Sequence, residues 1–116
     1  MRLMLALVLA AVSLGQDSRI YTTQDGATLP TVVRKVHAEY TNEAKQNRIE
    51  GEVGLSVVVL SDGKVGDVTV SKSLDSVYGL DKEAVKAMKQ WQFKPGAKDG
   101  KAVAVRVAVE MTFSLQ

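Results

Sequence analysis

Hydrophobic positions in this chain fall into two repeating patterns, and the clearer one lies at the carboxyl end. Val103, Val105, Val107, Val109, Met111, Phe113 and Leu115 share one parity, with Ala104, Arg106, Ala108, Glu110, Thr112 and Ser114 between them. Strict alternation over such a run excludes a helix and predicts a strand with one packed face and one wet face. Glu52 to Leu60 predicts a second strand, with Val53, Leu55, Val57 and Val59 on one face. Ser61-Asp62-Gly63 is a hairpin signal, and Lys64 to Lys72 returns with Val68 and Val70 inward. Val65 is out of phase with that pair, so a bulge is expected at Gly66. The helical pattern appears as Leu80, Ala84, Met88 and Trp91, one apolar stripe with Val85 beside it and Lys82, Lys86 and Lys89 opposite. A helix is expected from Asp81 to Gln90, with Asp81 as N-cap and Glu83 in the first turn. A shorter helix is expected over Thr41 to Arg48, N-capped by Thr41 and anchored by Tyr40, Ala44 and Ile49. Pro30 and the valines of Thr31 to Val36 suggest a short flanking strand.

The order helix, hairpin, helix, strand gives a two-layer α+β sandwich when the valine face packs against both helices. The simplest arrangement sets the last strand antiparallel to the first hairpin strand and leaves it at the edge. At ~3.3 Å per residue, Val103 to Leu115 spans about 43 Å, against about 30 Å for each hairpin strand. The last strand is then longer than its partners and has spare backbone donors and acceptors. Its exposed parity carries only Arg106 and Glu110 as charges and no proline, so little blunts it. Such an edge can take an extended peptide, or the same strand of a second copy. The alternatives are fraying in water, or cover by the Thr31 to Val36 strand. A proline at Val107 is expected to block either pairing while the hairpin and helices persist.

The 116 residues suggest one domain. Residues 1–15 read as a signal peptide: Arg2, then the apolar run Leu3 to Val12, then Ser13-Leu14-Gly15, with cleavage before Gln16. A spanning anchor needs ~20 apolar residues and Leu3 to Leu14 offers about twelve; an uncleaved anchor and a buried N-terminal helix are the other readings. A polar, flexible leader is expected over 16–29 and the folded domain over 30–116. The expected location is the periplasm, with an inner-membrane anchor as the alternative.

Charge and residue types narrow the chemistry. The net charge of +2 is spread along the chain with no basic block, which argues against nucleic acid as a partner. No cysteine is present, so thiolate chemistry and disulfides are excluded. The lone histidine, His37, has Glu39 nearby but no nucleophile motif. Metal-ligand spacing, calcium loops and phosphate loops are missing, so no cofactor and no small-molecule substrate is expected. Trp91 and Phe93, at the end of the second helix, are expected to plug the core.

Tyr40 with Ala44, Arg48-Ile49-Glu50-Gly51, Asp62-Gly63-Lys64-Val65, Gly79-Leu80-Asp81, Trp91-Gln92-Phe93-Lys94-Pro95-Gly96 and Asp99-Gly100-Lys101 occur in order ahead of the long closing strand. In this order the chain, from about Asp25 to Leu115, resembles the TonB C-terminal domain family. The resemblance implies a three-stranded antiparallel sheet with two helices on one face and a binding role, not an enzyme. It implies that the last strand pairs with a TonB box, a short extended peptide of an outer-membrane receptor or another envelope protein, in TonB-dependent transmembrane transport. Carried onto this sequence, the peptide-binding residues are Val103, Val105, Arg106, Val107, Val109, Glu110, Met111 and Phe113, with His37 and Tyr40 approaching the receptor. The family's usual tyrosine-proline pair is Tyr40-Thr41 here, and the chain has two prolines in total where full-length transducers carry a proline-rich spacer. An N-terminally anchored energy transducer and a homodimeric structural module remain alternative readings.

Overall fold

A computed structural model of the chain describes residues 19–115. The signal-peptide reading of residues 1–15 lies outside them. In chain order the elements are β1 (Ile20–Tyr21), a 3-10 turn (Thr23–Asp25), β2 (Thr31–Arg34), α1 (Asn42–Gln46), β3 (Gly51–Val59), β4 (Val65–Lys72), α2 (Leu80–Met88), β5 (Gln92–Lys94), β6 (Ala97–Lys98), β7 (Lys101–Ala102) and β8 (Ala104–Phe113). The fold is α+β, as expected, but the main sheet has four strands in the order β1-β8-β3-β4, and β1 joins it in parallel. Two small pairs, β2 with β5 and β6 with β7, stand apart from it.

The alternating valines place the core. Val53, Leu55, Val57 and Val59 are fully buried and pack in one cluster with Ala44 of α1 and with Leu80, Ala84 and Met88 of α2. Trp91 and Phe93 close the same cluster. Burying side chains of this size contributes roughly 1.5–3 kcal/mol each. The hairpin register shifts where Gly66 breaks the pattern: Val57 pairs with Val68, but Val59 pairs with Val65. At the hairpin turn, Gly63 has φ +87°, and a Cβ there would stand 2.0 Å from the Phe93 carbonyl oxygen. The Phe93 N–H donates to Gly63 O at 2.9 Å, tying β5 to the turn. Gly63→Ala is therefore expected to cost about 2–3 kcal/mol through left-handed strain and loss of this contact, seen as a fall in thermal midpoint of at least about 8 °C.

Both helix starts depend on side chains, in one case not the expected one. The Thr41 hydroxyl accepts from Ala44 N–H at 3.2 Å and donates to Tyr78 O at 2.8 Å, so it caps α1 and pins it to the loop before α2. α2 starts one residue earlier than expected. Its N-cap is Gly79, in the left-handed region at φ 98°, and not Asp81. The buried carboxylate of Asp75 accepts from Val77 and Tyr78 N–H at 2.9 Å each, and from Leu80 N–H at 3.1 Å. Asp81 turns back instead and accepts from Leu74 and Asp75 N–H. Burial alone would push the Asp75 carboxyl up, but the three N–H donors together outweigh it and hold its pKa below the ordinary value.

Three expectations about the edge change. β8 ends at Phe113 and begins at Ala104. Val103 precedes it and donates its N–H to Gly96 O at 3.0 Å. β3 matches β8 without a shift from Gly51↔Phe113 to Val59↔Val105, so overhanging strand ends are not the source of spare backbone groups. Thr31–Arg34 pairs with β5 rather than with β8. The segment expected to be a flexible leader instead supplies β1, because Tyr21 and Ala27 bury themselves against Val103 and Val105. The scattered apolar residues of this polar stretch, Ile20, Tyr21, Ala27 and Leu29, give no periodicity from which to read this.

A candidate peptide-binding edge on the last strand

The antiparallel ladder decides which backbone groups of β8 are available. Leu60 N–H, one residue beyond β3, donates to Lys64 O at 2.8 Å. Since backbone groups alternate sides along an antiparallel strand, even-numbered residues of β3 serve β4 and odd-numbered ones serve β8. Val57 faces Val107 and Leu55 faces Val109, so the odd-numbered residues of β8 serve β3 in turn. Leu115 N–H, of the same parity, reaches Glu50 Oε1 on that side at 3.0 Å. The N–H and C=O groups of Arg106, Ala108, Glu110 and Thr112 therefore point away from the sheet. A proline at Val107 would strike the internal ladder rather than the edge, contrary to the expectation from sequence.

β1 covers the start of this outer side, pairing Ile20 with Ala104 and Tyr21 with Val105. Val105 is fully buried and Val103 nearly so. From Arg106 to Phe113, no strand among the described residues pairs with the outer side. On the solvent face Arg106, Ala108, Glu110 and Thr112 are exposed, and Arg106 Nη1 donates to Ser56 Oγ at 3.3 Å. On the other face Met111 and Phe113 are buried, while Val107 and Val109 are only half-buried.

The sheet's other edge, β4, is less suited to a partner. It pairs with β3 through two register shifts. Bulges are one way in which sheets discourage edge pairing. β8 lies straight against β3 over its whole paired length.

Near the end of β8 the edge opens into a groove of about 390 Å³. Glu110 to Ser114 form one side and Lys35 to Ala38 the other, with Tyr40 and Trp91 also lining it. The groove thus brings His37 and Tyr40 together with Glu110, Met111 and Phe113; Val103, Val105, Arg106, Val107 and Val109 lie outside it. Trp91 Nε1 donates to Val36 O at 2.9 Å and fixes the Lys35 to Ala38 wall, and Lys35 Nζ lies 5.7 Å from the indole centroid. Tyr40 packs edge-on to Phe113, with centroids 5.4 Å apart, and its hydroxyl donates to Ile49 O. Burial, helped by Glu50 and opposed by Arg48, raises the Tyr40 pKa, so the phenol stays protonated and keeps donating. Tyr40 is a pillar between the lead-in and β8. Tyr40→Phe is expected to lower the chemical denaturation midpoint modestly, through the lost hydrogen bond, with the ring contact retained.

Lys35, Val36 and Trp91 were not among the residues singled out from sequence for binding. Trp91 carried a signal, since a buried indole N–H needs an acceptor, but nothing in the sequence pointed to Val36. His37 is exposed and also borders a smaller recess with Glu39, Glu83 and Lys86. Among the described residues no group of three or more histidine, aspartate or glutamate side chains could hold a metal ion. Nor is any helix there long and apolar enough to cross a membrane.

Residues 36–115 match the family described as the Gram-negative bacterial TonB protein C-terminal. The chain is 38% identical over 74 residues to Protein TonB of Pseudomonas aeruginosa, covering 64% of this chain and 21% of that protein. It is 35% identical over 77 residues to Protein TonB of Xanthomonas campestris pv. campestris, covering 66% of this chain and 34% of the relative. The chain thus spans between about a fifth and a third of these relatives' length. The solution NMR structure of the P. aeruginosa TonB CTD superposes with a TM-score of 0.62 at 27% identity, covering 85% of this chain and 97% of that one. With the ordered motifs, the sheet and two helices, and a match over most of its length, this chain belongs to the TonB C-terminal family.

Proposed function

We propose that the outer edge of β8 takes up an extended, TonB-box-like peptide of an outer-membrane receptor or another envelope protein, and that the chain serves TonB-dependent transport as a periplasmic binding module. The observation that carries this reading is the run from Arg106 to Phe113, which no strand among the described residues pairs on its outer side. A peptide laid there would satisfy the outward carbonyl of Arg106 and the outward N–H and C=O groups of Ala108, Glu110 and Thr112, and shield the half-buried Val107 and Val109. Main-chain hydrogen bonds would supply affinity, and side-chain contacts in the groove of Lys35, His37 and Trp91 would supply selectivity. Such binding needs no cofactor and no catalytic group.

Trp91 offers a direct test, because it lines the groove and is the chain's single tryptophan. Titration with a synthetic TonB-box peptide should change Trp91 emission saturably, with the chain sedimenting as a monomer. An unchanged emission, together with concentration-dependent dimerisation that a charge at Ala108 abolishes, would mean that a second copy occupies the edge instead.

A further inference from the structure

We infer that Tyr21 sets the register in which a peptide pairs with β8, by closing the edge at Val105. The inference rests on the reading of that edge as a peptide site. β1 is itself an added strand: it runs parallel to β8 and occupies the outer side at Ala104 and Val105. A two-residue ladder alone would be a weak barrier to an incoming strand, but β1 is held by much more. Tyr21 is only 7% exposed and packs in a second small core with Ala27, Val103 and Val105.

The chain leaves the edge straight after Tyr21 through a tied turn. Thr22 N–H and hydroxyl both donate to the Asp25 carboxylate, at 2.9 and 3.2 Å. Lys98 Nζ donates to Asp25 O at 2.7 Å. Thr28 N–H donates to Ala97 O at 2.8 Å, and Ala97 N–H returns to Thr28 Oγ1 at 2.9 Å. The segment from Ile20 to Thr28 is thereby clamped to both β6 and β8.

An incoming strand meets this clamp as a wall. It can extend no further toward Ala104 than Arg106, which leaves a window from Arg106 to Phe113 of about 26 Å at 3.3 Å per residue. A slip of one residue would exchange the faces of every peptide side chain. A fixed stop at one end and a shaped groove at the other together select one register. Tyr21 is therefore a positioning residue: it acts through the strand it holds and need not touch much of the peptide.

The test uses the full chain and a synthetic TonB-box peptide of about twelve residues with a nitroxide at one end. Amide exchange and paramagnetic broadening are read along β8. In the wild type, protection on binding should be confined to the outward amides of Ala108, Glu110 and Thr112, with the Ile20 and Tyr21 amides unchanged. In Tyr21→Ser, protection should spread to the outward amides of Arg106 and Ala104, and the broadened positions should move about two residues toward Ala104. Asp25→Ala loosens the turn without touching the buried ring and should give a smaller shift in the same direction, with β3, β4 and α2 amides reporting an intact fold. Two results overturn the inference and leave the peptide site standing: displacement of β1 by the peptide in the wild type, or the same broadening pattern in all three proteins. Silence of every β8 amide in all three removes the peptide site, and the inference with it.

Discussion

Ala108→Pro is expected to weaken peptide binding roughly hundredfold, by about 3 kcal/mol, while the domain stays folded. Ala108 is exposed opposite Ser56, and its N–H points out of the sheet by the alternation of backbone groups along β8. Proline removes that donor and sets its ring where a partner strand would lie; at an edge position it is otherwise tolerated. Val107→Pro should behave in the opposite way. Its N–H serves β3 opposite Val57, so the cost falls on folding, at about 3 kcal/mol or more, and not on recognition alone. Peptide titration paired with thermal melts of the two variants separates these outcomes. A folded Val107→Pro protein with an unfolded Ala108→Pro partner would reverse the assignment of the edge.

Asp75→Ala is expected to lower stability by about 3–4 kcal/mol. It leaves three backbone N–H groups without their acceptor, that of Leu80 at a buried helix start and those of Val77 and Tyr78 in the part-buried loop before it. For a domain of this size the thermal midpoint should fall by at least about 12 °C. The sign of the pH dependence follows from the depressed carboxyl. Because the folded-state pKa lies below the unfolded one, Asp75 stabilises fully above the unfolded value and loses that contribution as pH falls through the folded value. The stability gap between wild type and Asp75→Asn should therefore be flat near neutrality and close below about pH 4. A gap that widened on acidification would mean that the N–H donors do not hold the carboxylate.

Periodicity carried the framework of this fold because burial is what periodicity records. The inward row of β3, the stripe of α2 and the alternation of β8 were all legible, and they form the core. The bulge was legible at Gly66 because one valine fell out of phase. β1 was not, since two residues cannot declare a period and its partners, Val103 and Val105, lie far along the chain. The cap of α2 was misassigned for a related reason: Asp81 stands where a capping aspartate is expected, but the loop folds back and presents Asp75 to Leu80 N–H. For the site, sequence located the strand but not its available side. That side depends on which neighbour each residue faces, which only register reveals. The wall of Lys35 and Val36 is tied across the fold by a Trp91 hydrogen bond that no local pattern announces.

The most direct measurement is a set of intermolecular backbone contacts, by NMR, between the full chain and a bound TonB-box peptide. Contacts to Arg106, Ala108, Glu110 and Thr112, in one continuous ladder on the side away from β3, are the expected result. A bound peptide that instead touches the outer side of β4, or reaches β8 only through side chains, would contradict the claim that this strand is completed by a partner.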